Sequence, residues 1–221
     1  MILYLDTEFS SLEAPALISI ALVSERDQTD FFYAELPAVD YLDAASAWVR
    51  DNVMPLLWGG SWVISQPEIP ARLVAWIEAH DERCMIVTDA PEYDFALIKP
   101  LLEPWPKNLA KQPMRFDSLA MGVNRQARLL DVRTRFHKEN RAPEHHALCD
   151  AQALRAAMLA ALEAGWKPRT NDDWLGALAD AAIASTTRAG AAIDDAVAFV
   201  EESNKRIDAM EAEASNNKGK T

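Results

Sequence analysis

The chain has 221 residues, half of them apolar and a quarter charged, with a net charge of −12; that is an ordinary globular composition with room for one good core and an appendage. No stretch approaches the length of a membrane-spanning helix, and Asp6 and Glu8 arrive too early for the apolar core of a secretory signal. Cys84 and Cys149 are the only cysteines; they read as buried free thiols rather than a disulfide or a metal pair, so a reducing, cytoplasmic setting is expected, with no membrane partner.

Ile2–Asp6 predicts a first strand, Ala16–Ser24 a second and Asp30–Leu36 a third. Their short links predict an antiparallel meander. The first strand is apolar on both faces and is expected at the centre of a sheet covered on both sides. Apolar residues at helical spacing predict helices over Tyr41–Leu57 and Pro70–His80. Cys84–Thr88 is a short buried strand, Tyr93–Leu102 a helix with Pro100 inside it, and Met114–Asp117 a further strand. Helices follow over Leu119–Leu130 and Ala147–Ala164. The order describes an α/β domain over 1–165, three antiparallel strands and then α/β units.

Beyond Gly165 the character changes. KPRTND reads as a linker, and Asp173–Ser185 and Ala189–Ala212 as Ala-rich helices. Ile193, Val200 and Ile207 lie seven apart, a weak coiled-coil seam broken by Asn204. The expected organisation is a helical extension over 166–213 and a polar, disordered tail over 214–221. The extension either packs on its own domain or joins two chains in a homodimer.

The charge is unevenly spread. Residues 1–98 carry 4 Lys/Arg against 17 Asp/Glu, whereas residues 99–141 carry 10 against 4. Such a local surface can hold phosphates on an acidic molecule. Charge alone favours the plainer reading, a solvated helical stretch.

The first strand runs into Asp6-Thr7-Glu8. Side chains alternate along a strand, so Asp6 and Glu8 share a face. They repel each other, no Lys or Arg is near in sequence, and a divalent metal is the natural counter-charge. Alone the motif is weak, and a solvated strand end explains it as well. Asp94 begins a predicted helix after CMIVT, and Asp150 lies among the apolar first turns of the helix from Ala147; an acid at a helix start also has the plain role of favouring the dipole. His145 and His146 precede Asp150 by five and four residues. On one helix only His146 would lie beside Asp150. His145 can act there only from a loop ahead of the helix, which Pro143 favours.

Taken in order, these residues resemble the DEDDh family of 3′–5′ exonucleases, the group that includes RNase T and the proofreading exonucleases of DNA polymerases. Asp6-Thr7-Glu8 is similar to its first motif, Tyr93-Asp94 to its second, and the HHALCDA string, with His145 five residues before Asp150, to its third. A sister group carries Tyr where His146 stands here. The resemblance covers residues 1–165 and implies an RNase H-like mixed sheet. It departs from the family at Phe9-Ser10, where Thr-Gly is usual, and at Asp89-Ala90, where Asn or His is common ahead of the second Asp. Asp117 resembles a structural Asp of such enzymes, and the Asp-Thr-Glu-Phe form looks like that of small bacterial and phage exoribonuclease-like proteins.

The resemblance implies that Asp6, Glu8, Asp94 and Asp150 hold two divalent ions, Mg²⁺ or Mn²⁺, with Asp6 shared, and that His145 is the general base. The implied activity is hydrolysis of single-stranded nucleic acid from its 3′ end to nucleoside 5′-monophosphates, with RNA slightly favoured. A 3′–5′ DNA exonuclease, or a catalytically silent module binding nucleic acid or protein through the same fold, are the alternatives. Arg133, Arg135 and Lys138 are expected to track phosphates, and Phe9 to pack against the terminal base.

Overall fold

The computed structural model describes residues 1–116 and 123–164, which fall in the first of two units into which the chain divides, Met1–Lys167. Asp117 and the C-terminal helices expected from the sequence lie outside the described residues. Five strands form one mixed sheet: β1 (Ile2–Phe9), β2 (Leu17–Ser24), β3 (Phe31–Glu35), β4 (Met85–Thr88) and β5 (Met114–Arg115). Their spatial order is β3-β2-β1-β4-β5. The first three pair antiparallel, while β4 runs parallel to β1 and β5 to β4. The described helices include α1 (Ala47–Asn52), α2 (Ile69–Glu78), α3 (Asp94–Ile98), α4 (Val123–Asn140) and α5 (Ala147–Glu163). None of the described helices is long and apolar enough to cross a membrane.

β1 is the middle strand and is covered on both faces, which accounts for its unbroken apolar run. Leu3 and Leu5 pack with Leu73 and Ile77 of α2 and Ile98 of α3. Ile2 and Tyr4 point the other way, toward Leu154, Ala157 and Met158 of α5. Small side chains let α5 lie close to the sheet: Ala147 and Ala151 are fully buried beside Ala21 and Val23 of β2. Arg155 fastens the same helix to the end of β2, its Nε donating to the Ser24 carbonyl at 2.9 Å and its Nη2 to that of Glu25 at 2.9 Å.

The largest differences from expectation lie in three places. β1 does not end at Asp6 but continues to Phe9, because β2 offers ladder partners beyond it, Asp6 opposite Ala21 and Glu8 opposite Ser19. The helix expected over Tyr41–Leu57 is broken into three-residue 3₁₀ turns and one short helix. Ala45 is extended, Ser46 caps α1 by accepting the Val49 N–H at 3.2 Å, and Pro55 sits in the last turn. The helix expected over Leu119–Leu130 is described from Val123 and runs on to Asn140. Nothing in 131–140 breaks it, and Arg141, with φ of 52°, ends it.

Candidate metal centre

The site lies where the sheet splits. β1 stays paired with β2 along its length, but its parallel pairing with β4 stops at Tyr4 opposite Val87. Beyond that point the backbone of β1 is open on one edge, and a crevice at the carboxyl ends of diverging strands is where α/β sheets place ligands. Asp94, the first residue of α3 and only 3 % exposed, occupies that edge. Its Oδ1 accepts the Thr7 backbone N–H at 3.2 Å and the Thr7 hydroxyl at 2.7 Å, and its Oδ2 accepts the Thr88 hydroxyl. Thr7 thus has its own task between the two acids: it fixes the third. Burial raises the Asp94 carboxyl to a pKa of about 6, against the pull of those hydrogen bonds.

Asp6 and Glu8 lie on one face of β1, as alternation requires, and both line the crevice. Asp150 reaches the same place from the first turn of α5. One oxygen each from Asp6, Glu8 and Asp150 lie within 4.8 Å of one another, and so do oxygens from Asp6, Asp89 and Asp94. Asp6 belongs to both groups. Neither the Asp6 nor the Glu8 carboxylate has a hydrogen bond or ion pair among the described residues, although Glu8 is only 9 % exposed. Burial, reinforced by Asp150 and Asp94, pushes the Glu8 carboxyl up to about 8. Asp6 is raised by burial and then by Asp150, Asp94, Glu8 and Asp89. Carboxylates so placed have no direct ion-pair partner of their own, and a set of hard oxygens suits Mg²⁺ or Mn²⁺. The residues present therefore fit such ions: Asp6, Glu8 and Asp150 on one side, Asp6 and Asp94 on the other.

The histidines divide by environment. His145 stands in the loop ahead of α5 with φ of 65°, exposed at the mouth of the crevice. Its backbone N–H donates to Asp150 Oδ2 at 2.8 Å, and its ring packs edge-on against Trp48, centroids 4.9 Å apart. His146 is turned away and fully buried, stacked on Tyr33 with its Nε2 3.2 Å from the Tyr33 hydroxyl. Its contact with Asp150 is through the backbone, the Asp150 N–H donating to the His146 carbonyl at 3.0 Å. Helical spacing does not bring its ring to Asp150, because His146 precedes the first turn of α5.

The ring that does meet Asp150 is one that sequence reasoning missed. His137 of α4 places Nε2 3.1 Å from Asp150 Oδ1, with Nδ1 3.1 Å from the Ala142 carbonyl. A carbonyl can only accept, so Nδ1 carries hydrogen; Nε2 facing a carboxylate then favours a second proton. The pKa of His137 is accordingly raised, first by its hydrogen bond to Asp150. The available signal was helical spacing from Leu130 and Arg133 through Thr134 to His137, the four α4 residues that line the crevice.

Of the residues expected to meet substrate, Phe9 lines the crevice and stacks on Tyr93, ring centroids 5.3 Å apart and 12° from parallel. Arg133 also lines it, but its Nη1 is bound to Asp89 Oδ2 at 2.5 Å. Arg135 and Lys138 are exposed on α4 outside the crevice-lining stripe, and Arg135 is paired with Asp131 at 2.8 Å. A helix presents one stripe to the site, and residues two beyond Arg133 and one beyond His137 fall off it. The structure therefore gathers Asp6, Glu8, Asp94, Asp150, His145, Phe9 and Arg133, adds His137 and Asp89, and leaves Arg135 and Lys138 outside. No protein-family model matches the chain, and it matches none of the curated proteins compared with it.

Proposed function

We propose that this protein is a metal-dependent 3′–5′ exonuclease on an RNase H-like fold, acting on single-stranded ends with RNA favoured over DNA and releasing nucleoside 5′-monophosphates. The observation that carries this reading is convergence: Asp6, Glu8, Asp94 and Asp150, from three elements far apart in sequence, line one crevice with an exposed His145 at its mouth. The mixed sheet, three antiparallel strands followed by parallel ones, is compatible with that fold.

Asp6, Glu8 and Asp150 would hold one divalent cation, and Asp6 with Asp94 a second. Bound cations would neutralise charge at phosphorus and ease deprotonation of the attacking water. His145 takes up that proton, for which an exposed imidazole at the mouth of the crevice is suited. Asp150 steadies the His145 loop through the backbone N–H it accepts. Phe9, backed by Tyr93, offers a flat apolar surface to the terminal base.

The test is digestion of 5′-end-labelled single-stranded RNA and DNA side by side. Mg²⁺-dependent shortening from the 3′ end is expected, faster on RNA, and lost in chelator and in Asp6→Ala. Equal shortening by Asp6→Ala, or none by the parent protein with Mg²⁺ or Mn²⁺, would overturn the reading.

A further inference from the structure

We propose that Asp89 is a fifth carboxylate of this centre, holding a divalent cation together with Asp6 and Asp94, with Arg133 as its resident counter-ion. The inference rests on the metal-centre reading above and goes beyond it by adding a cation ligand.

Asp89 directly follows β4, at the carboxyl end of the strand that diverges from β1. It stands across the split from Asp6, and its oxygen lies within 4.8 Å of oxygens of both Asp6 and Asp94. Asp94 alone is a poor partner for Asp6 there. Its Oδ1 already accepts two hydrogen bonds and its Oδ2 a third, and a carboxylate has about four acceptor positions in all. Asp89 is less committed. Arg133 engages its Oδ2, and no hydrogen bond is made to its Oδ1 among the described residues. It can therefore offer one oxygen inward while Arg133 keeps the other.

Charge points the same way. Five carboxylates face the crevice within the two groups, and among the described residues lining it the one guanidinium is that of Arg133. His137 serves Asp150, and Arg133 serves Asp89. Glu8, nine-tenths buried and lining the same crevice, has no side-chain partner among the described residues. The deficit is thus independent of Asp89 and calls for added positive charge. Arg133 and Asp89 side chains are 23 % and 30 % exposed. A pair so sheltered holds the Asp89 carboxylate in place before any ion arrives, where an unpaired acid would repel Asp6 and Asp94.

Two measurements test this without reading catalysis. In crystals grown with Mn²⁺, anomalous scattering should show one peak among Asp6, Glu8 and Asp150, and a second in coordination reach of Asp89. Only the first peak, with Asp89 still held by Arg133 alone, would overturn the proposal and leave the metal-centre reading standing. No peak would overturn both. In calorimetric titration with Mn²⁺, Asp89→Asn should weaken one site by about tenfold or more, in the parent chain and equally in an Arg133→Ala background. Asp89→Asn changing affinity by no more than about twofold in that background would show that Asp89 acts only on Arg133. Circular dichroism and thermal melting in chelator confirm that each variant is folded.

Discussion

At the scale of single residues, two histidines around Asp150 have opposite tasks set by their surroundings. His145 is exposed, and among the described residues it is tied to its surroundings only through its backbone N–H and the edge of Trp48, with no hydrogen bond to either ring nitrogen. His137 is buried and spends both nitrogens on structure. We therefore expect His145→Ala to lower kcat by about 10²–10⁴-fold while Mn²⁺ affinity stays unchanged, since no ligand has been removed. Single-turnover cleavage and Mn²⁺ calorimetry on the same preparation check this. A matching loss of metal binding would move His145 from proton acceptor to scaffold.

At the scale of elements, the exposed side of the sheet is closed by a device outside the crevice. β3 is an edge strand, and an open edge invites pairing with other chains. Its last residue, Glu35, is 2 % exposed and accepts the Trp58 N–H at 2.7 Å, the Gly59 N–H at 2.9 Å and the Tyr33 hydroxyl at 2.6 Å. Gly59, with φ of 66°, allows the turn that brings both N–H groups to one carboxylate. Trp58 and Trp62 then cover Tyr33 and, with it, His146 at the start of α5. Because both Glu35 oxygens accept, an amide in its place would turn an NH₂ toward a donor. Glu35→Gln should therefore cost about 1–3 kcal/mol, read as a lower urea midpoint with an unchanged m-value. An unchanged midpoint would show that the loop over β3 is not held this way.

At the scale of the whole molecule, the proposed substrate is a polyanion and the net charge is −12. The basic segment offers less relief than its composition promises. Arg115 contacts Glu92, Arg133 is bound to Asp89 and Arg135 to Asp131. Binding should therefore depend on a few contacts near the metals rather than on a cationic track. Each phosphate neutralised on a single strand contributes a slope of about −0.7 to the salt dependence of the affinity. For binding of single-stranded RNA to the full chain, one or two contacts predict a slope between about −0.7 and −1.4. Fluorescence anisotropy across a salt series measures it. A slope several times steeper would mean that an extended basic surface is at work after all.

Local pattern marked the central strand and most of the strands and helices around it, and together with the family resemblance it singled out the four acids and His145 as candidates. Alternation along one strand is enough to put Asp6 and Glu8 on a shared face, and Pro143 is enough to keep His145 off the helix. These are short-range effects, carried by neighbours in the chain. What only the tertiary structure decided are the relations between elements. β1 runs on to Phe9 because β2 is there to pair with it, and Thr7 serves Asp94 because β4 stops short. His137 meets Asp150, and Arg133 meets Asp89, because α4 packs across the carboxyl ends of the strands. No spacing encodes such pairs; they arise when the burial of both sheet faces brings separate helices over one split, where charges must find partners or a cation.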